Sequence, residues 1–192
     1  SVKSGSVSIH GTWPSSVTAY TGVTSAVKST MQLGTNPHTF PSTSVTGATI
    51  TTRITSLDSN GNTRCYSDDG DGRDGYVISV TRDGFAVSDT EVRLTKTQTK
   101  ATAALDVALT PKQAGTYVVS VSLDGVSIVG SPATITVTSD AVDASTSGAS
   151  FGGGALFGGR VGVERTATLT ARDTNGNVVV SGLSDSTCDA TL

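Results

Sequence analysis

The chain has 192 residues, of which 35% are hydrophobic, 5% aromatic and 15% charged, with a net charge of -3. That balance holds too much apolar material for a disordered polymer and has no basic stripe to neutralise phosphates, so nucleic acid is not an expected partner. Apolar runs such as Val178-Val179-Val180 fall far short of a membrane span, and the abundance of Ser, Thr, Val and Gly favours strands and turns over helices.

In chain order, the first elements are the closing strands of a preceding module, expected within residues 1–23. A poorly regular strand A follows near Val27 to Leu33. Ala48 to Thr55 alternates, with Ile50, Thr52 and Ile54 on one face, and predicts strand B, ending at the turn-forming Asp58-Ser59-Asn60-Gly61-Asn62. An acidic loop, Ser67 to Gly75, leads to strand C at Tyr76 to Val80, and strand D is expected at Glu91 to Leu94. Strand E spans Leu105 to Leu109 and is expected to close at Pro111. Strand F runs from Thr116 to Leu123 with Tyr117, Val119, Val121 and Leu123 on one side, and Asp124-Gly125 turns it into strand G at Val126 to Val137. Seven short strands punctuated by turns predict an all-β, immunoglobulin-like antiparallel β-sandwich. Its core is expected to contain Tyr117, Val119, Val121, Ile54, Ile78 and Val107.

The sequence also repeats itself. Ala26-Val27-Lys28 through Asn62 lies over Ala141-Val142-Asp143 through Asn177 at a constant offset of 115, without a gap. Ser6 to Gly11 lies over Ser120 to Gly125, and Pro14 to Ala19 over Pro132 to Val137. A unit of that size is a domain rather than a solenoid repeat. The expected organisation is therefore the last strands of one module in residues 1–23, a complete module in 24–140, and the start of another in 141–192. The complete module holds only Cys65, which rules out an internal disulfide within it, and Cys188 stands at a position not equivalent to it.

Pro111-Lys112-Gln113-Ala114-Gly115-Thr116-Tyr117-Val118-Val119-Ser120-Val121, followed by Gly125, Ile128 and Gly130-Ser131-Pro132, resembles the filamin-type immunoglobulin repeat, whose signature is P-x-x-A-G-x-Y-x-V-x-V and then G-x-x-I-x-G-S-P. Gly154-Ala155-Leu156, Gly162, Ala167, Leu169, Asp173 and Gly176-Asn177 extend the likeness into the next module. The chain departs from the pattern at Ala133, where the family carries Phe, and at Thr102 to Leu105, where it carries D-G-T-Y. The resemblance implies tandem sandwiches and, for some repeats, capture of an extended peptide at a sheet edge.

Three features invite a chemical reading. Asp68-Asp69-Gly70-Asp71-Gly72-Arg73-Asp74 has the carboxylate density of a calcium loop, with Asp69, Asp71 and Asp74 as the candidate ligands. Arg73 stands where a third EF-hand ligand belongs and no closing Glu follows, so weak calcium binding at most is expected. The glycine-rich stretch Phe151 to Gly159 lacks the Gly-Lys-Ser/Thr end of a phosphate loop. His10 and His38 lack a nucleophile or metal-ligand pattern. The expectation is thus a protein with no catalytic residues and no cofactor.

Two functions remain. One is a structural or adhesive spacer whose partners are other proteins or neighbouring repeats, stiffened by the short linker from Val137 to Ser147. The alternative is a module that binds an extended peptide by adding it to an edge made by strands C and D, with Val77, Ser79, Thr81, Val92 and Leu94 facing outward. Filamin-type modules occur in cytoplasmic actin crosslinkers, ciliary proteins and gamete-surface proteins. The Lys-poor, Glu-poor surface favours the extracellular face, against the absence of any N-x-S/T sequon.

Overall fold

The computed structural model describes residues 6–8, 16–18, 22–33, 42–64, 75–99, 104–151 and 167–180. Two short strands, β1 (Ser6–Ser8) and β2 (Ser16–Thr18), pair antiparallel at the start. The main body then runs through β3 (Thr30–Leu33), β4 (Thr43–Val45), β5 (Ile50–Thr55), β6 (Tyr76–Arg82), β7 (Phe85–Ala86), β8 (Val92–Thr99), β9 (Ala104–Pro111), β10 (Gly115–Leu123), β11 (Val126–Ser127) and β12 (Ala133–Thr138). A second pair, β13 (Gly148–Phe151) and β14 (Ala167–Thr170), follows.

The main body is a two-sheet sandwich. One sheet has the order β3-β5-β9-β8, all antiparallel. The other has the order β4-β12-β10-β6-β7, with β11 also on β10. Strands A to G of the sequence reading correspond to β3, β5, β6, β8, β9, β10 and β12. Alternation explains the packing. Ile50, Thr52 and Ile54 of β5 point inward between exposed Thr51 and Arg53, and Tyr117, Val119, Val121 and Leu123 of β10 are all buried. They meet Val107, Ile128 and Ile135 in one core, against which the partly buried Ile78 packs, so the six expected core residues do share it.

The hairpin turns follow from local chemistry. Asp124 and Gly125 both have positive φ, 51° and 78°, the backbone that a two-residue turn needs to match strand twist. Asp83 and Gly84, at 50° and 87°, make the same turn between β6 and β7.

The structure differs from the sequence reading in four places. Strand G is broken: β10 pairs first with β11, then the chain bulges through Val129-Gly130-Ser131 before β12 resumes the ladder. The bulge reaches the opposite sheet, since the Met31 N–H donates to the Val129 carbonyl and the Val129 N–H to the Ser29 carbonyl. Ser131 Oγ accepts the Val121 N–H at 2.7 Å, replacing the ladder bond that the bulge removes. Second, strand E does not stop at Leu109 but runs on to Pro111, which closes it as the last residue of β9 and pairs with Val92. A Pro is tolerated at such a terminal position because the missing N–H interrupts little of the ladder. Third, β4 joins the second sheet parallel to β12, a strand that the sequence reading did not include. Fourth, β8 extends to Thr99, well past Leu94.

The repeat also needs correction. Ser29 Oγ accepts the Leu57 N–H as Ser147 Oγ accepts the Arg172 N–H, so the first strands correspond at an offset of 118 while the turns correspond at 115. Leu33 pairs with Thr52 and Phe151 with Ala167, so the connection between the two strands is three residues shorter in the second copy. The ungapped match of Ala26-Val27 to Ala141-Val142 is a coincidence of small apolar residues.

Candidate interaction surfaces

The first surface is the outer edge of β6. On its inner side the strand pairs with β10 from Tyr76↔Leu123 to Arg82↔Tyr117. On its outer side β7 pairs with Thr81 and Arg82 and the Val87 N–H donates to the Val80 carbonyl, so among the described residues Val77 to Ser79 have no outer strand neighbour. Val77 is 62% exposed, Ser79 is exposed and Thr81 is half-buried. Val92 and Leu94, expected to share this edge, do not. Val92 is 2% exposed and belongs to the core, and Leu94 packs against that core. They lie on the inward parity of β8, whose outward residues are Arg93 and Thr95, and β8 belongs to the other sheet.

One end of this edge is a polar cluster. A groove of about 340 Å³ is lined by Arg82, Asp83, Phe85, Ala86, Val87 and Glu91, with Phe85 78% exposed at its rim. Arg82 forms an ion pair with Glu91 and donates to Gln113 Oε1. Beneath it the Tyr117 hydroxyl donates to the Gln113 carbonyl at 2.8 Å, four residues back along the chain, which ties the approach to β10 down to the core. Burial pushes the Tyr117 phenol above its ordinary range despite the nearby Arg82.

The second surface lies where the main sandwich meets the following strand pair, and it centres on two buried polar side chains, Thr46 and Asp173. Asp173 opens an Asp-x-x-Gly-Asn turn. Its Oδ1 accepts the N–H groups of Asn175 and Asn177, each at 2.9 Å, and Asn177 Nδ2 donates to the same carboxylate. Its Oδ2 accepts the Thr46 hydroxyl at 2.5 Å and the Asp140 N–H at 3.2 Å. Asn177 also reaches the main sandwich directly, with Nδ2 donating to the Lys112 carbonyl at 2.8 Å and Oδ1 accepting the Ala114 N–H at 3.1 Å.

The first copy of the motif is built alike. Asp58 Oδ1 accepts the Asn60 and Asn62 N–H groups at 2.9 and 2.8 Å, and its Oδ2 accepts the Gly22 N–H at 3.2 Å. Gly22 corresponds to Asp140 at the offset of 118 set by the strands.

These carboxylates are held ionised. At Asp58, hydrogen bonds from the Asn62 side chain and backbone outweigh desolvation and hold the carboxyl at about 2. At Asp173, burial pushes upward, but the Thr46 hydroxyl, the Asn177 side chain and the backbone N–H groups of Asn177 and Asp140 overrule it and hold the group at about 2. A folded value below the ordinary 3.8 means that the stabilisation is complete above about pH 4 and is lost as pH falls towards 2. Carbon-detected titration of the side-chain carboxyls should therefore give midpoints near 2 for both residues. Thr46→Val is expected to raise the midpoint of Asp173 and leave that of Asp58 in place. Equal, ordinary carboxylate midpoints would contradict the hydrogen bonding described.

The remaining sequence candidates, Asp69, Asp71 and Asp74, together with Cys65, Cys188, His10, His38 and the glycine-rich stretch after Phe151, lie outside the described residues. Among the described residues no group of three His, Cys, Asp or Glu side chains could hold a metal ion, and no helix is long and apolar enough to cross a membrane. Sequence reasoning missed the Thr46–Asp173 contact. The duplicated Asp-x-x-Gly-Asn motif was read only as a turn, and nothing local marks Thr46.

Sheet orders and edges of this kind define an immunoglobulin-like β-sandwich. Neither a protein-family profile nor a curated protein matches the chain. Solved structures do. FdeC, a broadly conserved Escherichia coli adhesin, is similar with a TM-score of 0.55 and 17% identity over 86% of this chain and 47% of that one. InvD of Yersinia pseudotuberculosis is similar with a TM-score of 0.52 and 15% identity over 85% of this chain and 46% of that one. The Lin-41 filamin domain is matched at a TM-score of 0.46 and 16% identity, over 59% of this chain and 95% of that one. The chain thus spans about half the length of the two bacterial structures. At this identity the likeness is one of fold, an immunoglobulin-like β-sandwich.

Proposed function

We propose that the chain is a non-enzymatic segment of a cell-surface protein, in which tandem sandwiches space and present protein-binding surfaces. Residues 1–23 are read as the end of one module, 24–140 as a complete one and 141–192 as the start of the next. The observation that carries this reading is the recurrence of one hydrogen-bond framework around Asp58 and Asp173, the second copy docked on the end of the sandwich. A second observation supports it. Leu169 is 61% exposed, whereas its counterpart Ile54 is fully buried, so the β13–β14 pair presents the half-core of a further sandwich. The adhesin among the similar structures supports the surface location and the adhesive class. A ciliary context finds no support among them.

A second reading is favoured by one feature, the outer edge of β6 from Val77 to Ser79, which among the described residues has no strand neighbour and carries the exposed Val77, a place where an extended peptide could add to the sheet. Beads coated with the chain separate the two. Under the adhesive reading, attachment to cells or matrix proteins survives Val77→Lys, because the edge is not the contact. Attachment abolished by that substitution, together with binding of a short extended peptide to the unsubstituted chain, would favour peptide capture.

A further inference from the structure

We infer that the Asp-x-x-Gly-Asn turn is an inter-module docking element, in which Thr46, Asp173 and Asn177 fix the angle between one sandwich and the unit that follows it. The inference goes beyond adhesion or peptide capture and holds under either. It rests on a division of labour between the atoms of two side chains. Asp173 Oδ1 builds the turn by accepting two backbone N–H groups of its own loop, and Asp58 Oδ1 does the same in the first copy. Within the turn Oδ2 accepts only the side-chain amide of Asn177, at 2.9 Å, and at Asp173 the same atom also accepts from groups preceding its own strand pair, the Thr46 hydroxyl and the Asp140 N–H. Asn177 divides similarly, since its amide bonds the Asp173 carboxylate within the turn and the Lys112 and Ala114 backbone outside it.

Burial makes the contact specific. Thr46 is 1% exposed and Asp173 is fully buried, so a displaced turn would leave a carboxylate and a hydroxyl without water or partner, which is costly. Gly47 stands beside them, and a Cβ there would meet Asn175 Nδ2 at 3.4 Å, an ordinary contact distance that places the turn directly against this residue. Thr46 is itself tied to the sandwich, because its N–H donates to the Thr138 carbonyl at the end of β12. The hydrogen bonds therefore connect the last strand of one sandwich, the end of β4 and the turn of the next unit in one network.

Asp173→Asn tests this. One amide oxygen can serve either the turn or the junction, and the other side then meets an NH2 group where it needs an acceptor. In the full chain, the amides of Asn175 and Asn177 should stay protected from hydrogen exchange while that of Ala114 exchanges about three- to tenfold faster. Residual dipolar couplings from the sandwich and from the β13–β14 pair, which fit one alignment tensor in the unsubstituted chain, should then need two. If Asn175 and Asn177 lose protection as well, the turn itself has opened and Thr46→Val decides, because Thr46 touches the turn only from outside. Faster Ala114 exchange in Thr46→Val supports the docking role. Unchanged Ala114 exchange and a single alignment tensor in Thr46→Val would overturn it.

Discussion

Replacing Tyr117 by alanine is expected to remove about 3 to 5 kcal/mol, a large part of the roughly 5 to 15 kcal/mol that holds a domain of this size together. Tyr117 is fully buried and sits in the middle of the second sheet, paired with Arg82 on one side and Ile135 on the other. The other aromatic ring of the buried core, Tyr76, stands at the opposite end of β6, where its backbone pairs with Leu123. Tyr117→Phe is the control. It removes the hydroxyl with its bond to the Gln113 carbonyl and its contact with Arg82, and Gln113 is exposed, so water can satisfy the freed acceptor and the cost should be about 0.5 to 1.5 kcal/mol. Urea denaturation measures both. An unchanged midpoint in Tyr117→Ala would remove the residue from the core.

Gly130→Ala should be comparably damaging for a different reason. Gly130 has φ of 88°, and a Cβ there would lie 2.6 Å from the Met31 carbonyl oxygen, a backbone atom that cannot swing away. The left-handed backbone costs a residue with a Cβ about 1 to 2 kcal/mol. Forcing β3 outward adds about 1 to 3 kcal/mol of overpacking. The expected total is about 2 to 5 kcal/mol, read again from the denaturation midpoint. Gly125→Ala serves as the comparison, because Gly125 shares the positive φ but has nothing within 4 Å of its missing Cβ. Equal losses in the two variants would show that the close approach to β3 contributes nothing.

This contrast also shows what was legible from residues alone. Strands β5 and β10 were readable because each alternates apolar and polar residues over at least six positions, and tertiary packing obeys that alternation. The Asp-Gly turn after β10 was readable because few other dipeptides accept two positive φ values. The motif Gly130-Ser131-Pro132 was visible, but its work was not. Its glycine passes under a strand about a hundred residues earlier, and its serine caps an amide of the neighbouring strand.

Elements specified by their partners were invisible. Thr43-Ser44-Val45 has no apolar alternation and becomes β4 because β12 offers it backbone groups in parallel register. The polar end of β8, Thr95-Lys96-Thr97, is held by β9 in the same way. Val92 and Leu94 were assigned to the wrong face because a four-residue window cannot fix which parity looks inward. The contact between Thr46 and Asp173 spans 127 positions, and no local pattern announces it.

Small-angle scattering on the whole chain, with and without about ten Gly/Ser residues inserted after Asp140, tests the claim that successive units keep a persistent arrangement. Lengthening a surface connection costs little folding free energy, so the sandwich should unfold at nearly the same denaturant concentration in both proteins. The unaltered chain is predicted to give a narrow distribution of distances, and the insertion a visibly broader one, because it frees the junction held through Asp140. Identical and already broad distributions in the two proteins would contradict the spacer reading and leave peptide capture at the β6 edge as the better account.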